Sequence, residues 1–372
     1  MSSVSVRPVH TKRDVKVFIK FQWKPYEGNP YWVPPLLLDR RKLMDREKNP
    51  FYKHADAEFF LAERGGAVVG RIGAIVNHNH NREHDENIGF FGFFECIDDQ
   101  EVANALFDAA TVWLRARGAT AVRGPASPSV NDEYGMLVEG FDRSPTILMA
   151  YNPPYYPKLV EGYGFAKAKD LYSWALHQDK VFTEKLVRVS EAAKQRQGLV
   201  FRALNMKDFD NEVKKVHEIY SRGWMRNWGE VPLTDEEFAY MAADLKPIVN
   251  PAFIVIAESK GKAVGFGLTL PDYNVILKKN RHGWLIPAVI RMMLFKKRID
   301  NSRIIILGVL PEYLNSGIGG ILFYETARRV TGTGIPRGEA SWVLEDNVMM
   351  NRGAELMNAD KYKTYRIYQC PL

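Results

Sequence analysis

The chain has 372 residues, 46% hydrophobic and 26% charged, with a formal net charge of +7 and a pI near 9.1. At about 100 to 200 residues per domain this length favours two domains, and the positive charge suits an anionic partner such as a coenzyme phosphate, a nucleic acid or a membrane surface. Two cysteines, Cys96 and Cys370, exclude a disulfide framework and a CxxC metal site. No run of about 18 apolar residues marks a membrane span, and MSSVSVRPVHTKRD lacks a signal-peptide core, so a cytoplasmic protein is expected.

VSVRPV alternates as a strand, and helical spacing follows in KRDVKVFIKFQWKPY. AEFFLAER, a GG turn and AVVGRIGAIVN predict a hairpin, IGFFGFFECI a third strand and QEVANALFDAATVWLRARG an amphipathic helix. VNHNHNREHDE, with His78, His80 and His84, has HxH spacing; a solvated loop is favoured over a metal site. AVRGP begins another strand, followed by a long Pro-rich segment. In it GPASPSVNDEYGMLVEGF carries Asn131, Asp132, Glu133 and Tyr134. These four are candidates for binding an amine or diol, with Asp132 and Tyr134 as candidate catalytic residues, or the polar groups serve their own loop backbone.

The second half repeats the order. LVFRAL is a strand, KDFDNEVKKVHEIYSRGW a helix, and TDEEFAYMAADL a helix with Thr234 and Glu237 at capping-box spacing. PAFIVIAES and KAVGFGLTL predict a hairpin. SRIIILGVL is a strand, GIGGILFYETARRV a helix, GEASWVLE a strand, VMMNRGAELMN a helix and YKTYRIYQ a last strand. Strand, helix, hairpin, strand, helix, strand thus occurs twice. We expect modules at 1–178 and 199–372 joined by a polar helix over 179–198, with one large mixed domain as the alternative.

Gly317, Gly319 and Gly320 fall where the strand IIILGVL meets a helix. Unpaired N–H groups and the dipole favour phosphate there, and glycine permits close approach. The same pattern also suits a plain turn with tight helix packing.

Leu314, Asn315, Ser316, Gly317, Ile318 and Gly319, in this order of elements, resemble the GNAT acyltransferase motif of Arg or Gln, two residues, Gly, any residue, then Gly or Ala. Asn347 in SWVLEDNVMMNRGAEL matches the family's next motif. The resemblance implies an α/β fold of two tandem GNAT-like modules, each a mixed, mostly antiparallel sheet flanked by helices. It also implies acetyl-CoA or a longer acyl-CoA as cosubstrate, with no permanently bound cofactor, and acyl transfer to an amine. Backbone N–H groups near Val309 and Leu310, where the family's strand bulges, would polarise the thioester. Those of Asn315, Ser316, Gly317, Ile318, Gly319 and Gly320 would hold the pyrophosphate, and Asn347 is likewise expected at the cofactor.

Glu345 is the first candidate base for deprotonating the amine, or else a solvated carboxylate. Leu314 departs from the motif cation, and Ala354 stands where the family often has a Tyr; Tyr362, Tyr365 or Tyr368 would substitute or simply pack. In the first module Asp98, Asp99 and Glu101 would repel a pyrophosphate, so it is expected to form an acceptor-side wall or a scaffold.

Residues 278–298 carry an apolar run from Trp284 to Phe295 between basic clusters. Peripheral contact at the inner membrane face, a lid over an acyl chain and ordinary core packing all suit this pattern. The lipid reading resembles GNAT-like bacterial ceramide synthases, which join a fatty acyl thioester to a sphingoid-type amine. A carrier-protein phosphopantetheine could replace CoA. The alternatives are a Fem-type aminoacyltransferase and a catalytically inactive binding or sensing protein of the same fold; no nucleic-acid partner and no metal are expected.

Overall fold

The computed structural model describes residues 3–224 and 227–372, apart from the side chains of Trp224 and Asn315. The first half runs strand β1 (Ser5–Pro8), helix α1 (Lys12–Phe21), helix α2 (Leu37–Met44), strands β2 (Ala55–Arg64) and β3 (Ala67–Asn77), and helix α3 (His78–His84). Strand β4 (Ile88–Cys96), helix α4 (Gln100–Arg115) and strand β5 (Ala121–Gly124) follow. Short strands β6 (Ala126–Ser127), β7 (Glu133–Tyr134) and β8 (Met136–Glu139) lead to helix α5 (Tyr156–Tyr163) and strand β9 (Ala166–His177).

Helices α6 (Gln178–Val181) and α7 (Glu184–Gln197) precede strand β10 (Leu199–Ala203), helices α8 (Phe209–Trp224) and α9 (Asp235–Leu245), and strands β11 (Ile254–Ser259) and β12 (Lys262–Pro271). Helices α10 (Asn274–Leu277) and α11 (Leu285–Phe295) occupy the insertion. The chain ends with strand β13 (Ser302–Val309), helix α12 (Ile318–Thr331), strand β14 (Arg337–Leu344), helix α13 (Val348–Leu356) and strand β15 (Asp360–Pro371).

Two compact units emerge: Met1–Leu171 with Ile276–Leu294 and Lys363–Leu372, and Tyr172–Val275 with Phe295–Tyr362. The sequence places the division at 178/179 and 198/199. In the structure the insertion and the last ten residues group with the first unit.

In the first unit β1, β2, β3 and β4 pair antiparallel in that order, β4 and β5 pair parallel, and β5 pairs antiparallel with β15. Helix α4 buries Val102, Leu106, Phe107, Ala110 and Leu114 against Ile72, Ala74 and Phe91. That is the apolar stripe of an amphipathic helix meeting the inward face of a sheet. In the second unit β10, β11, β12 and β13 pair antiparallel, and β13 pairs parallel with β14. Its core includes Ile219, Tyr220, Phe238, Phe266 and Ile306.

Each unit's hairpin turns on two residues with positive φ: Gly65 and Gly66 in the first, Lys260 and Gly261 in the second. This is the type I′ pattern that matches strand twist. The capping box at Thr234 and Glu237 forms as the spacing predicts, and a second, unpredicted one joins Thr11 and Asp14.

Two readings change. The expected loop at 78–84 is helix α3, because the Asn77 side chain accepts the N–H groups of Asn79 and His80. His80 is buried with Nε2 3.0 Å from Glu86 Oε2, and burial lowers its pKa to about 4. Core packing is also excluded for α11, where Ala288 alone is buried.

Gly92 of β4 tests how tightly the first unit is closed. A Cβ there would lie 1.7 Å from the Ala126 carbonyl oxygen, whereas one at Gly66 would meet nothing within 4 Å. Gly92→Ala is therefore expected to cost about 3 kcal/mol or more in urea unfolding. Gly66→Ala, strained by its φ alone, should cost about 1 kcal/mol.

Candidate active site

The parallel ladder of the second unit consists of the pairs Arg303–Glu339 and Ile304–Ala340. Beyond them β13 and β14 run on to Val309 and Leu344 without bonding each other. The separation begins where β13 carries an extra residue: Leu268 opposes Ile306 and Thr269 opposes Ile304, leaving Ile305 as a bulge. Each strand then feeds a helix, so the starts of α12 and α13 lie at the carboxyl ends of two parting parallel strands. Open α/β sheets bind ligands at such places.

Leu310 N–H donates to the Val264 carbonyl at 2.9 Å. This corrects its expected role, since the group is already bonded to β12. It also locates Val309. Opposed residues in an antiparallel ladder alternate between bonded and non-bonded pairs, so Val309, opposite Gly265, turns its N–H away from β12 toward the side where β14 has parted. The bulge lies at Ile305 rather than at 309–310. Gly223 of α8 comes close to the same peptide, and a Cβ there would sit 2.9 Å from Val309 O.

After β13 the chain makes a 3-10 turn over Pro311–Ser316, and Gly317 with φ +82° starts α12. Only a residue tolerant of the left-handed region fits that corner. Ser316 Oγ donates to Tyr313 O and accepts Ile318 N–H, while Gln197 Nε2 donates to Ser316 O at 2.7 Å. Cβ atoms at Gly317, Gly319 and Gly320 would meet nothing within 4 Å. With Ile318 N–H taken by Ser316 Oγ, Gly319 and Gly320 carry the first-turn N–H groups of α12 that no side chain caps, and no side chain crowds them. The expected Asn315 contributes backbone here; its side chain lies outside the described residues.

Asn347 is the N-cap of α13, its side-chain oxygen accepting Met350 N–H at 3.1 Å. Asn351 fixes the turn before it by donating to Leu344 O and Glu345 O. Glu345 therefore stands half-buried immediately after β14. Ala354 is buried in α13. Tyr362 bonds the buried Glu339, which also accepts from Ser341 Oγ. Tyr365 and Tyr368 are fully buried in the first unit, Tyr368 donating to Glu161.

In the first unit the corresponding places are filled. Phe93 N–H on the bulged part of β4 donates to Ser127 Oγ at 2.7 Å, and Ala126 packs on Gly92. The N-terminus of α4 is capped by Asp99, which accepts Glu101 and Val102 N–H and pairs with Arg64 at 2.6 Å. Asp132 accepts from Ser129 Oγ at 2.6 Å, Glu133 pairs with Arg40, and Tyr134 is buried in β7. Asp132 and Tyr134 belong to this unit, whereas Val309, the glycine turn, Glu345 and Asn347 belong to the second.

Sequence reasoning missed a carboxylate of the second unit. Glu230 accepts from Tyr220 at 2.9 Å, one helical turn from Gly223, and burial pushes its pKa up to about 7. Only a glycine within a helical pattern hinted that α8 approaches a backbone closely.

A carboxyl with a raised folded pKa stabilises the fold when protonated. That contribution is full below its ordinary 4.5 and lost as pH rises through about 7. Wild type is therefore expected to lose stability relative to Glu230→Gln across this window, as measured by paired urea titrations at several pH values.

No family model matches the chain. Protein YghO of Escherichia coli is 34% identical over 98% of this chain and 94% of its own length. The bacterial ceramide synthase of Caulobacter vibrioides is 35% identical over 99% of this chain and 97% of its own. Among solved structures, a tandem GNAT protein from the clavulanic acid biosynthesis pathway superposes with a TM-score of 0.57 at 11% identity, covering 99% of this chain and 98% of that one. The mixed sheets, the parting parallel strands and the glycine-lined helix start agree with the tandem GNAT fold of that structure, and the chain belongs to one family with these two bacterial relatives.

Proposed function

We propose that the chain transfers an acyl group from acyl-CoA to a primary amine. The observation that carries this reading is the parting of β13 and β14 directly before a helix start whose three glycines leave it uncrowded. A pantetheine arm is extended and can add to the free strand edges, while a pyrophosphate suits the uncapped helix N-terminus. Of the N–H groups expected at residues 315–320, those of Gly319 and Gly320 would meet the phosphates, Ile318 N–H being held by Ser316 Oγ. No Arg or Gln stands at Leu314, so the backbone carries more of that binding.

In the reaction, the lone pair of a neutral amine attacks the thioester carbon. Charge develops on the carbonyl oxygen, where Val309 N–H would donate. The C–S bond then breaks, the amide forms and the CoA thiolate leaves. Glu345, at the end of β14, is the base we assign to the amine proton, directly or through water. Asn351 holds the turn that carries Glu345, and Asn347 caps the helix that follows. We assign no step to Asp132 and Tyr134, which belong to the other unit.

The relative named bacterial ceramide synthase supports a lipid amine of sphingoid type as acceptor and a long acyl chain as donor. A carrier-protein thioester presents the same arm and would use the same cleft.

A ligand that binds only the folded state raises its stability by mass action. Thermal stability is expected to rise with CoA and further with acyl-CoAs of increasing chain length, and adding an amine should release free thiol. Gly317→Val should abolish the shift while leaving unfolding without ligand within about 2 kcal/mol of wild type. Absence of a shift with every thioester would overturn the proposal.

A further inference from the structure

Helix α11 reverses the usual order of a surface helix. Ile286, Val289, Ile290 and Met293 follow i, i+3, i+4, i+7 spacing and so share one face. That face points outward: Ile286 is 74% exposed and Met293 73%, with Leu294 at 69% and Trp284 at 57%. Isolated exposed apolar residues are ordinary, but a continuous stripe of this kind marks an interaction surface.

The helix is held in place from its amino-terminal side. Arg281 O accepts from Trp23 Nε1 at 2.8 Å, and Gly283 O accepts Leu37 N–H at 2.9 Å. Gly283, with φ +65°, packs so closely on Pro35 that a Cβ would lie 2.3 Å from its carbonyl oxygen. Asn280 Nδ2 donates to Trp284 O, and Lys278 lies over the Tyr31 ring. The segment is therefore anchored in the first unit with its apolar side turned out.

Charge identifies the occupant. Residues 273–299 contain seven Lys or Arg and no Asp or Glu: Lys278, Lys279 and Arg281 before the helix, Arg291 within it, and Lys296, Lys297 and Arg298 after it. A protein partner of ordinary composition calls for mixed charges at such a rim. An anionic bilayer calls for this pattern, in which hydrocarbon accepts the apolar stripe, headgroups pair with the flanking cations, and Trp284 sits at the boundary. Eleven residues of helix are about 16 Å long, half the thickness of a hydrocarbon core, so the helix fits in the plane of the interface and not across it.

We propose that α11 and its basic flanks form a docking surface for an anionic lipid membrane, with Ile286, Val289, Ile290, Met293 and Leu294 entering the acyl region. This surface stands on its own observations, whether or not the acceptor of the acyl group is a lipid.

The test is flotation of the full chain with phosphatidylcholine vesicles and with vesicles that also contain phosphatidylglycerol. Wild type is expected to float with the second kind and to be released by salt. Ile286→Asp combined with Met293→Asp should lower the bound fraction at least about tenfold, and Lys296→Glu with Lys297→Glu should remove the preference for anionic vesicles. Both pairs should keep the wild-type thermal shift with acyl-CoA, so a failure of docking is distinguishable from a failure of the acyltransferase reading.

Flotation of the Asp variant equal to wild type would overturn the proposal, as would no flotation of wild type with either vesicle. Loss of a wild-type dimer in the Asp variant, seen by light scattering, would reassign the stripe to a contact between copies. Loss of the chain-length dependence of the acyl-CoA shift, with vesicle binding intact, would reassign it to a lid over the acyl chain.

Discussion

The second unit depends on a ladder that stops early. Two parallel strands that stayed hydrogen-bonded to their ends would present no free edge and no gap. Here the bonds between β13 and β14 cease after Ile304 and Ala340, and Ile305 is left over at that point. An extra residue bends and twists a strand locally, which is a mechanical reason for the divergence. Unpaired strand edges are costly when buried, so the gap asks for solvent or for a ligand with its own donors and acceptors. Val309, Gly317 and Glu345 all lie on the two chains beyond this separation.

The first unit shows what the same plan becomes when that gap is closed from within. Its parallel pair β4 and β5 also part, after Phe90 and Arg123, and β4 is also bulged. The next few residues turn back into the opening: Ala126 takes the space over Gly92, and Ser127 satisfies Phe93 N–H. Two buried charged groups of this unit also find partners within it. Glu95 accepts from Tyr156 at 2.6 Å, and Arg71 donates to Phe18 O. Burial pushes the Glu95 carboxyl up to about 7.

Much of this was legible in the sequence because it is local. Period-two alternation located the hairpins, and helical spacing with Thr234 and Glu237 located α9. The glycines 317, 319 and 320 marked the helix start, and acidic Asp99 marked its counterpart in the first unit. What escaped depends on partners far along the chain. The bulge at Ile305 is defined only against Leu268 and Thr269, and the use of Leu310 N–H only by Val264 O. Nothing in GEVPLT signals that Glu230 will be buried against Tyr220. The outward face of α11 was equally hidden, since an apolar stripe in a sequence does not say which way it will point.

The cap on α4 has a consequence for how the two units came to differ. Asp99 supplies a negative group that is covalently part of the chain, always present at full occupancy and braced by Arg64. It is a tethered surrogate for the anion that a bare helix start would recruit from solution. A unit carrying such a surrogate has its helix completed at synthesis and is indifferent to metabolite levels. A unit with glycines in that place has no carboxylate of its own at the helix start, so an anion there would have to come from solution. The helix start of the first unit is thus stabilised by the chain itself, and that of the second is the one whose stability a bound anion would raise.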